Sequence, residues 1–460
     1  MRSGFNADTL LHMVVEDADV ETRITHGRYL IALIDNMLLN LGIRTTDNIA
    51  ITMFLTLGIL AIVMLIVQKV IVDRMEIEGF YRYVTILAID FWALNVLFSE
   101  ILMFSEFCIY SALAYLLGAL AVLFYTKSKY IFAVLFLILG VCTYQYVVVF
   151  SAMLISFYIC VENECKISKR IVLEEVACVL TCVGIGFANL VSTKILCEMK
   201  IISEVGKKAG SGDLMYKFSK VFDSFVMIMK HSYSMIPGNW IPAAIWMLII
   251  ATICVGLVKK NEAYKIVYIF LIIVVSFSLM YIIPLSGENF FFPPRMAFTY
   301  YFLLGFLVSY GIAELNSKFR EILVILFSIF IIINLLCVQR INGNRYVSNK
   351  LDEVYVKMID SKINMYEEET GKNVTKIAIG YDEYAPFHYS EVDMSYEQIN
   401  ESAAYSAVNS LMKIFTDRNF DRTKMEPEVF DKYFKGKDWN SFNIDEQVIV
   451  VGDTVYWCLY

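Results

Sequence analysis

The chain has 460 residues, of which 58% are hydrophobic and 18% charged, and its formal net charge is −7. Its mean hydropathy of +0.59 is too high for a water-soluble domain, which is about half apolar and a quarter charged. There is no basic block, which excludes nucleic-acid binding as the function. The ten cysteines are scattered and lie mostly inside apolar runs, which is typical of small buried hydrophobic residues rather than metal ligands.

Residues 1–48 precede the first spanning run and carry a cluster of charged side chains, followed by an amphipathic helix predicted over Tyr29–Leu41. The cluster consists of Asp8, Glu16, Asp17, Asp19, Arg23, His26 and Arg28. A carboxylate in such a cluster can act as general base toward a sugar hydroxyl, and an arginine or histidine can hold a phosphate. The alternative is a solvated acidic loop with ordinary ion pairs.

Residues 49–338 contain apolar runs of about 20 residues, long enough to cross the ~30 Å hydrocarbon layer as helices. Five basic clusters separate the runs, and short basic loops stay in the cytoplasm. The clusters are Lys69/Arg74/Arg82, Lys127/Lys129, Lys166/Lys169/Arg170, Lys259/Lys260/Lys265 and Lys318/Arg320. Outward hairpins between neighbouring clusters then predict about ten transmembrane helices. The predicted crossings lie within 49–72, 83–126, 130–161, 172–258, 264–313 and 321–338.

This topology describes a multi-pass protein of the cell (plasma or inner) membrane, with the N-terminal segment and the C-terminal tail on the outer side. An outer N terminus is hard to translocate without a preceding helix, so a spanning helix is expected upstream of residue 1. The long outer loop 198–239 carries lysines against the charge rule. Within it Met215, Phe218 and Phe222 recur at helical spacing and predict an amphipathic helix. That helix either presents its lysines to lipid phosphate or packs on the bundle.

Residues 339–460 turn polar and predict a small α/β domain on the outer side. Periodicity predicts helices over Leu351–Glu369 and Tyr396–Phe415. Strands are predicted over Lys376–Ile379, Gln447–Val451 and Thr454–Leu459, the last two joined by a Gly452-Asp453 turn. This segment has no glycine-rich phosphate loop and no nucleophile elbow, so its expected role is structural or in recognition.

Polar residues at the outer ends of spans, or deep within them, are the other candidates, because burying charge in lipid is costly. Asp90 lies deep in a predicted span and needs a partner or a wet cavity. Glu100 and Glu106 flank an apolar turn, and Tyr144-Gln145 stand at a hairpin tip. Pro293-Pro294-Arg295 interrupt a helix and place an arginine at the mouth of a span, where it either pairs with phosphate or reaches to the surface.

The order of these short motifs resembles that of the bacterial polytopic glucosyltransferases of the GtrII type, which glucosylate O-antigen and related polymers. The matching segments are Asn6-Ala7-Asp8, Gly27-Arg28-Tyr29, Ser99-Glu100-Ile101-Leu102, Thr143-Tyr144-Gln145 and Pro294-Arg295. They follow one another over most of residues 1–310, each only two to four residues long. The resemblance implies a first helix before the acidic loop, which is therefore expected upstream of residue 1.

The resemblance implies a GT-C-like enzyme that transfers a hexose from a polyprenyl-phosphate carrier to a cell-envelope glycan on the outer face. Glucose is the expected hexose. The resemblance also implies catalytic carboxylates in the first outer loop. Only Asp8 of the family's acidic pair is found here, and Asp17 and Asp19 are the alternative candidates for the catalytic base. The expected substrate-binding residues are Arg23, His26, Arg28, Glu100, Glu106, Tyr144, Gln145 and Arg295. Membrane lipid is a further partner, and a divalent cation stays open as a cofactor. The rival interpretation is a transporter or lipid-linked-sugar flippase, with Asp90, Glu100 and Glu106 lining a pathway.

Overall fold

A computed structural model describes residues 6–14, 18–164, 168–202, 213–381, 389, 391–392, 394, 396–437, 439 and 441–459. Most of these residues are helical. The α-helices are Ala7–Val14, Ala18–Thr25, Tyr29–Asn40, Ile49–Ile71, Gly79–Asp90, Val96–Ser99, Cys108–Tyr125, Tyr130–Val141, Val147–Glu162, Lys169–Glu198, Leu214–His231, Ile241–Lys259, Tyr264–Ser286, Pro294–Ala297, Thr299–Glu314, Ser317–Thr370, Glu397–Asn400, Ala404–Thr416, Pro427–Tyr433 and Ile444–Gln447. Short 3-10 helices cover Val72–Arg74 and Ile101–Met103.

The chain divides into two compact units that are not simple consecutive segments. The bundle unit comprises the described parts of Asp17–Leu102 and Phe107–Val338. The tail unit comprises the described parts of Met1–Glu16, Met103–Glu106 and Gln339–Tyr460.

Within the described residues, seven helices are long and apolar enough to cross a membrane. They are Ile49–Arg74, Cys108–Tyr125, Lys169–Glu198, Ile241–Lys259, Tyr264–Ser286, Pro294–Glu314 and Ser317–Thr370. The structure therefore contains both predicted parts, a set of apolar helices long enough to span a membrane and a small C-terminal sheet. The count of ten stays a prediction, because Gly79–Asp90 and Tyr130–Val141 have 12 residues each and Val147–Glu162 has 16. At ~1.5 Å per residue, all three are shorter than the ~30 Å hydrocarbon layer.

The first predicted outward hairpin contains a break that positions Glu100. Its first helix stops at Asp90, whose carboxylate accepts a hydrogen bond from Gln68 Nε2 at 2.6 Å. Asn95 holds the turn that follows, since its side-chain nitrogen donates to the carbonyls of Phe91 and Trp92. Its side-chain oxygen caps the short helix Val96–Ser99 by accepting from two backbone amides. Glu100 directly follows this capped helix.

Two helices of the bundle unit pack unusually closely beside that break. Thr299–Glu314 belongs to a candidate span, Pro294–Glu314, that is 94% buried. A Cβ added at Gly305 would lie 1.9 Å from the carbonyl oxygen of Ala88 on helix Gly79–Asp90. Only glycine permits two backbones to approach this closely. Gly305 therefore sets the position of helix Gly79–Asp90, which precedes the break, against helix Thr299–Glu314.

The predicted amphipathic helix of the 198–239 loop is confirmed over Leu214–His231, with Asp213 capping its first amides. On this helix Lys217 is buried, and its ammonium donates to the carbonyls of Leu285 at 3.1 Å and Gly287 at 2.6 Å, whereas the Lys220 side chain is 42% exposed. Part of the apolar face of the helix points away from the unit, with Met215 79% and Phe222 66% exposed. We call Met215, Phe218 and Phe222 the outward stripe.

In the tail unit, four strands form one sheet in the order β2-β1-β4-β3. The strands are β1 (Lys376–Tyr381), β2 (Asp421–Lys424), β3 (Val448–Val451) and β4 (Thr454–Leu459). β1 pairs in parallel with β2 and β4, and β3 and β4 form an antiparallel hairpin. The three predicted strands are confirmed. β2 was missed because its four residues, Asp-Arg-Thr-Lys, carry no apolar signal.

Candidate functional site

The segment His26-Gly27-Arg28 is held in place by two other parts of the bundle unit. The side-chain amide of Gln145 donates to the His26 carbonyl at 2.5 Å, and that of Asn189 donates to the Gly27 carbonyl at 2.9 Å. Gly27 has a φ of +71°, which reverses the chain between helix Ala18–Thr25 and helix Tyr29–Asn40. The Gly27-Arg28 motif thus lies in a tight turn that two side-chain amides hold in place, and this turn positions Arg28.

We expect Gly27→Ala to disrupt this turn. The left-handed conformation costs a non-glycine residue about 1–3 kcal/mol, and the new Cβ would also lie 2.5 Å from the side-chain oxygen of Asn189. Gly42→Ala is the matched control, because Gly42 has the same φ of +71° and no atom within 4 Å of its added Cβ. Thermal unfolding of the purified variants should show a larger loss for Gly27→Ala, accompanied by loss of transfer activity. Equal losses would mean that the clamp does not depend on the glycine.

Glu100 and Arg295 form an ion pair at the mouth of the most buried candidate span, with Glu100 buried and the Arg295 side chain 23% exposed. Glu100 is 1% exposed, and its carboxylate accepts from the Arg295 guanidinium at 2.9 Å and from the Arg295 backbone amide at 2.5 Å. The second contact is available because Pro294 begins a helix whose first amides have no partner within the helix. The two sequence motifs, 195 residues apart, therefore meet in one place.

An aromatic side chain that the sequence did not single out lies among these charges. The Arg28 guanidinium lies 4.4 Å from the ring centroid of Phe107, a cation–π distance. The same ring lies 5.5 Å from that of Tyr144, and Tyr144 is within electrostatic range of Arg28, Arg295 and Glu100. The bundle unit thus brings the two arginines and Glu100 within electrostatic range of Tyr144, whose ring contacts Phe107, and we call these five residues the arginine cluster.

Arg23 lies beside this cluster with a partner of its own. Its guanidinium is 5.6 Å from the Phe107 ring centroid, and its Nε is 3.4 Å from the Asp35 carboxylate. Asp35 also accepts a hydrogen bond from the hydroxyl of Tyr110. Because Arg23 is buried and paired with a carboxylate, its expected effect is to position Phe107 rather than to bind phosphate.

An apolar groove of about 790 Å³, open mouth included, leads to the clamped segment. Its walls come from helices Val147–Glu162, Lys169–Glu198 and Tyr264–Ser286. The apolar lining residues are Val148, Val183, Phe187, Leu190, Ile282 and Ile283. Polar side chains of His26 and Gln145 line the same groove. The lining is therefore mostly apolar, with a polar part that includes His26, two residues before Arg28 in the sequence.

In the tail unit, two carboxylates of the predicted site lie within electrostatic range of each other. Asp8 is exposed in the first turn of helix Ala7–Val14, whereas Glu106 is 3% exposed and accepts a hydrogen bond from the Thr9 hydroxyl at 2.5 Å. Burial raises the pKa of Glu106, the Thr9 hydrogen bond and the charge of His12 lower it, and the charge of Asp8 adds to the rise. Asp8 and Glu106 form what we call the carboxylate pair.

The predicted site residues are thus distributed over both units. The bundle unit holds Arg23, His26, Arg28, Glu100, Tyr144, Gln145 and Arg295, and the tail unit holds Asp8 and Glu106. Asp17 lies outside the described residues, and for Asp19 only its place in helix Ala18–Thr25 is described. In the described part of the chain, no group of three or more histidine, cysteine, aspartate or glutamate side chains is arranged to hold a metal ion.

The comparisons with known proteins agree with these shared motifs. The family model described as "Glucosyl transferase GtrII" matches residues 6–312, which is more than half of the chain. The matched range contains both Asp8 and Arg295, and with them the carboxylate pair and the arginine cluster. No curated protein and no solved structure shows a significant match to the chain. The chain belongs to the GtrII glucosyl transferase family.

Proposed function

We propose that this glucosyltransferase takes its sugar from a polyprenyl-phosphate carrier and delivers it to a cell-envelope glycan on the outer face of the membrane. Membership of the family supplies the sugar-transfer activity. The carrier is inferred from one observation above all, the apolar groove whose lining includes His26 and Gln145. A nucleotide-sugar donor would have no use for such a groove, whereas a prenyl chain needs an apolar channel.

The arginine cluster is suited to hold the phosphate of this donor. The Arg28 guanidinium lies 4.4 Å from the ring centroid of Phe107, a cation–π contact that holds the positive charge in place, and a guanidinium matches the geometry of phosphate oxygens. Arg295 shares its charge with Glu100, so it supports the phosphate less directly but orders the mouth of the span. Fixed positive charge of this kind stabilises the leaving phosphate in the transition state.

Asp8 is the proposed general base on the acceptor side. Its carboxylate takes the proton of an acceptor hydroxyl as that oxygen forms a bond to the anomeric carbon of the sugar. The bond from the anomeric carbon to the phosphate oxygen breaks, and its electron pair leaves with the polyprenyl phosphate. Glu106 anchors Thr9, the residue after Asp8, and so positions the base rather than reacting itself. The bundle unit is therefore assigned to the donor and the tail unit to the acceptor.

The outer-face location rests on the pattern of basic loops in the sequence. The five basic clusters separate the apolar helices, and the motif residues stand at the other ends of the proposed hairpins. A polyprenyl-phosphate sugar that has been flipped across the membrane is the donor available on that side. Labelling of single cysteines introduced at His26 and Tyr381 should therefore succeed from outside intact cells, and labelling from the inside only would contradict this placement.

A groove-filling variant tests the carrier. Gly186 lines the groove, and a Cβ added there would lie 3.6 Å from Val148. Gly184, two residues earlier on the same helix, has no atom within 4 Å of its added Cβ and is the control. With polyprenyl-phosphate glucose as donor, Gly186→Leu should raise the donor KM at least about tenfold while Gly184→Leu leaves it unchanged. A sugar transfer that uses a water-soluble nucleotide sugar equally well would contradict the proposal.

A further inference from the structure

The tail unit contains a polar cleft of about 500 Å³, open mouth included, that the sequence did not predict. It lies between residues at the start of the chain, the long helix Ser317–Thr370 and the start of helix Ala404–Thr416. Its lining residues are Asn6, Ala7, Arg345, Ser348, Asn349, Asp352, Glu401, Ser402, Ala403, Tyr405 and Ser406. Nearly all of them carry a hydroxyl, amide or charged group, unlike the lining of the groove in the bundle unit.

One buried side chain in this cleft has unused hydrogen-bonding capacity. Asn6 is only 4% exposed, and its side-chain oxygen accepts from the Thr9 amide at 2.8 Å. Its side-chain nitrogen has no hydrogen-bond partner among the described residues. A buried donor without an acceptor is unfavourable, and an acceptor atom of a bound ligand would remove that cost.

The floor of the cleft is ordered by a buried carboxylate. Asp352 is 1% exposed and accepts hydrogen bonds from the Tyr389 hydroxyl at 2.5 Å, the Ser402 hydroxyl at 2.6 Å and the Ala403 amide at 3.2 Å. Two of these three donors, Ser402 and Ala403, directly precede helix Ala404–Thr416, so the carboxylate fixes the start of that helix. A cleft with a fixed floor loses little conformational entropy when a ligand binds.

The chemistry of the lining favours an uncharged, hydroxyl-rich ligand. The lining includes both side-chain donors and side-chain acceptors, which suits hydroxyl groups because each of them can donate and accept. Arg345 is offset by Asp352 and Glu401, so the lining offers no net positive charge to a phosphate. Tyr405 adds an aromatic face, and its ring lies 5.1 Å from that of Tyr381, with both side chains partly exposed. Sugar rings combine these two surfaces, hydroxyl edges and an apolar face.

Both ends of the cleft are continuous with the carboxylate pair in the same unit. Asn6 lies two residues before Asp8 in the sequence. Arg345 donates from its guanidinium to the carbonyl of Met103 at 2.5 Å, three residues before Glu106. A ligand in the cleft therefore contacts the segment that carries the proposed base, and it contacts Arg345, which is hydrogen-bonded to the segment that carries the supporting carboxylate.

We propose that this cleft binds the saccharide acceptor, as an uncharged pyranose unit of the glycan neighbouring the unit that receives glucose. The inference rests on the proposed function for the meaning of "acceptor", but binding itself requires neither donor nor turnover. Asn6 and Asn349 hydrogen-bond the sugar hydroxyls, and Tyr405 stacks on the ring face. The cleft thereby selects which glycan is modified.

The test is glycan binding by the full-length purified protein in the absence of donor. The probes are neutral oligosaccharides released from the envelope polysaccharide of the source cells, and saturation-transfer NMR reports their contact with the protein. Asn349→Ala and Tyr405→Ala should each weaken binding at least tenfold. Tyr405→Phe, which keeps the ring, should weaken binding less than Tyr405→Ala does, and Lys350→Ala, at an exposed position next to Asn349, should bind like the wild type. Thermal unfolding of each variant identifies a change that has simply misfolded.

The outcomes separate this inference from the proposed function. Wild-type binding that is lost in Asn349→Ala and Tyr405→Ala supports the cleft, even when no transfer from a polyprenyl donor is detected. Glycan binding unaffected by these folded variants overturns the cleft, even when transfer proceeds. A wild type that binds none of the neutral fragments also overturns it.

Discussion

Asp8→Asn should lower the rate of glucosyl transfer about 10²- to 10⁴-fold, the contribution expected of a general base. Asp8 is exposed in the first turn of its helix, and asparagine is also tolerated at such a position, so the fold should be retained. The acceptor and donor should still bind, because asparagine keeps the shape of the side chain and removes only its basicity. The measurement is the single-turnover rate with saturating polyprenyl-phosphate glucose.

Two further variants make this prediction specific to Asp8. Asp431→Asn removes an exposed carboxylate elsewhere in the tail unit, where it pairs with Lys435, and should leave the rate unchanged. Glu106→Gln keeps an acceptor oxygen for Thr9 and should reduce the rate less than Asp8→Asn does. A larger loss in Glu106→Gln would exchange the roles of the two carboxylates, and full activity of Asp8→Asn would remove Asp8 from the mechanism.

Arg295→Met should destabilise the protein by about 3–5 kcal/mol, the usual penalty for leaving a buried charge without its partner. Glu100 is 1% exposed, so its carboxylate cannot turn to water once the guanidinium is gone. The double variant Arg295→Met with Glu100→Gln removes both charges and should recover most of the lost stability. Thermal or denaturant unfolding in a fixed detergent measures both effects.

The same double variant separates packing from catalysis. If Arg295 contributes charge to the donor phosphate, transfer stays at least tenfold below wild type after stability has returned. Arg295→Lys, which keeps the charge but not the planar fork, should fall between the two. A stable double variant that transfers at the wild-type rate would show that the ion pair only holds the span in place.

Sequence reasoning identified every member of the arginine cluster except Phe107. Gly27-Arg28, Glu100, Tyr144-Gln145 and Arg295 each stood out because polar groups are rare at the ends of apolar runs. Phe107 did not, since one more phenylalanine in an aromatic-rich chain carries no signal. Asn189 was hidden for a similar reason inside the long helix Lys169–Glu198, where only its contact with Gly27 gives it meaning.

The contacts within the tail unit show why the remaining parts of the candidate site could not be predicted from local sequence patterns. The contact between Thr9 and Glu106 joins residues 97 positions apart, and the one between Arg345 and Met103 spans 242. Periodicity predicts where a helix forms, but it contains no information on which distant segment packs against it. The polar cleft is built entirely from such contacts, with side chains from three separate stretches of the chain.

The outward stripe on helix Leu214–His231 has a consequence for how the protein responds to its surroundings. Lys217 fixes one side of this helix to backbone carbonyls, so Phe218 and Phe222 cannot rotate inward to hide from solvent. A helix of this kind binds at the membrane interface, with its apolar face among the lipid headgroups of one leaflet. Its binding depends on lipid composition and on membrane curvature. A change in lipid composition that shifts this helix would therefore also shift the end of helix Tyr264–Ser286, to which Lys217 is hydrogen-bonded.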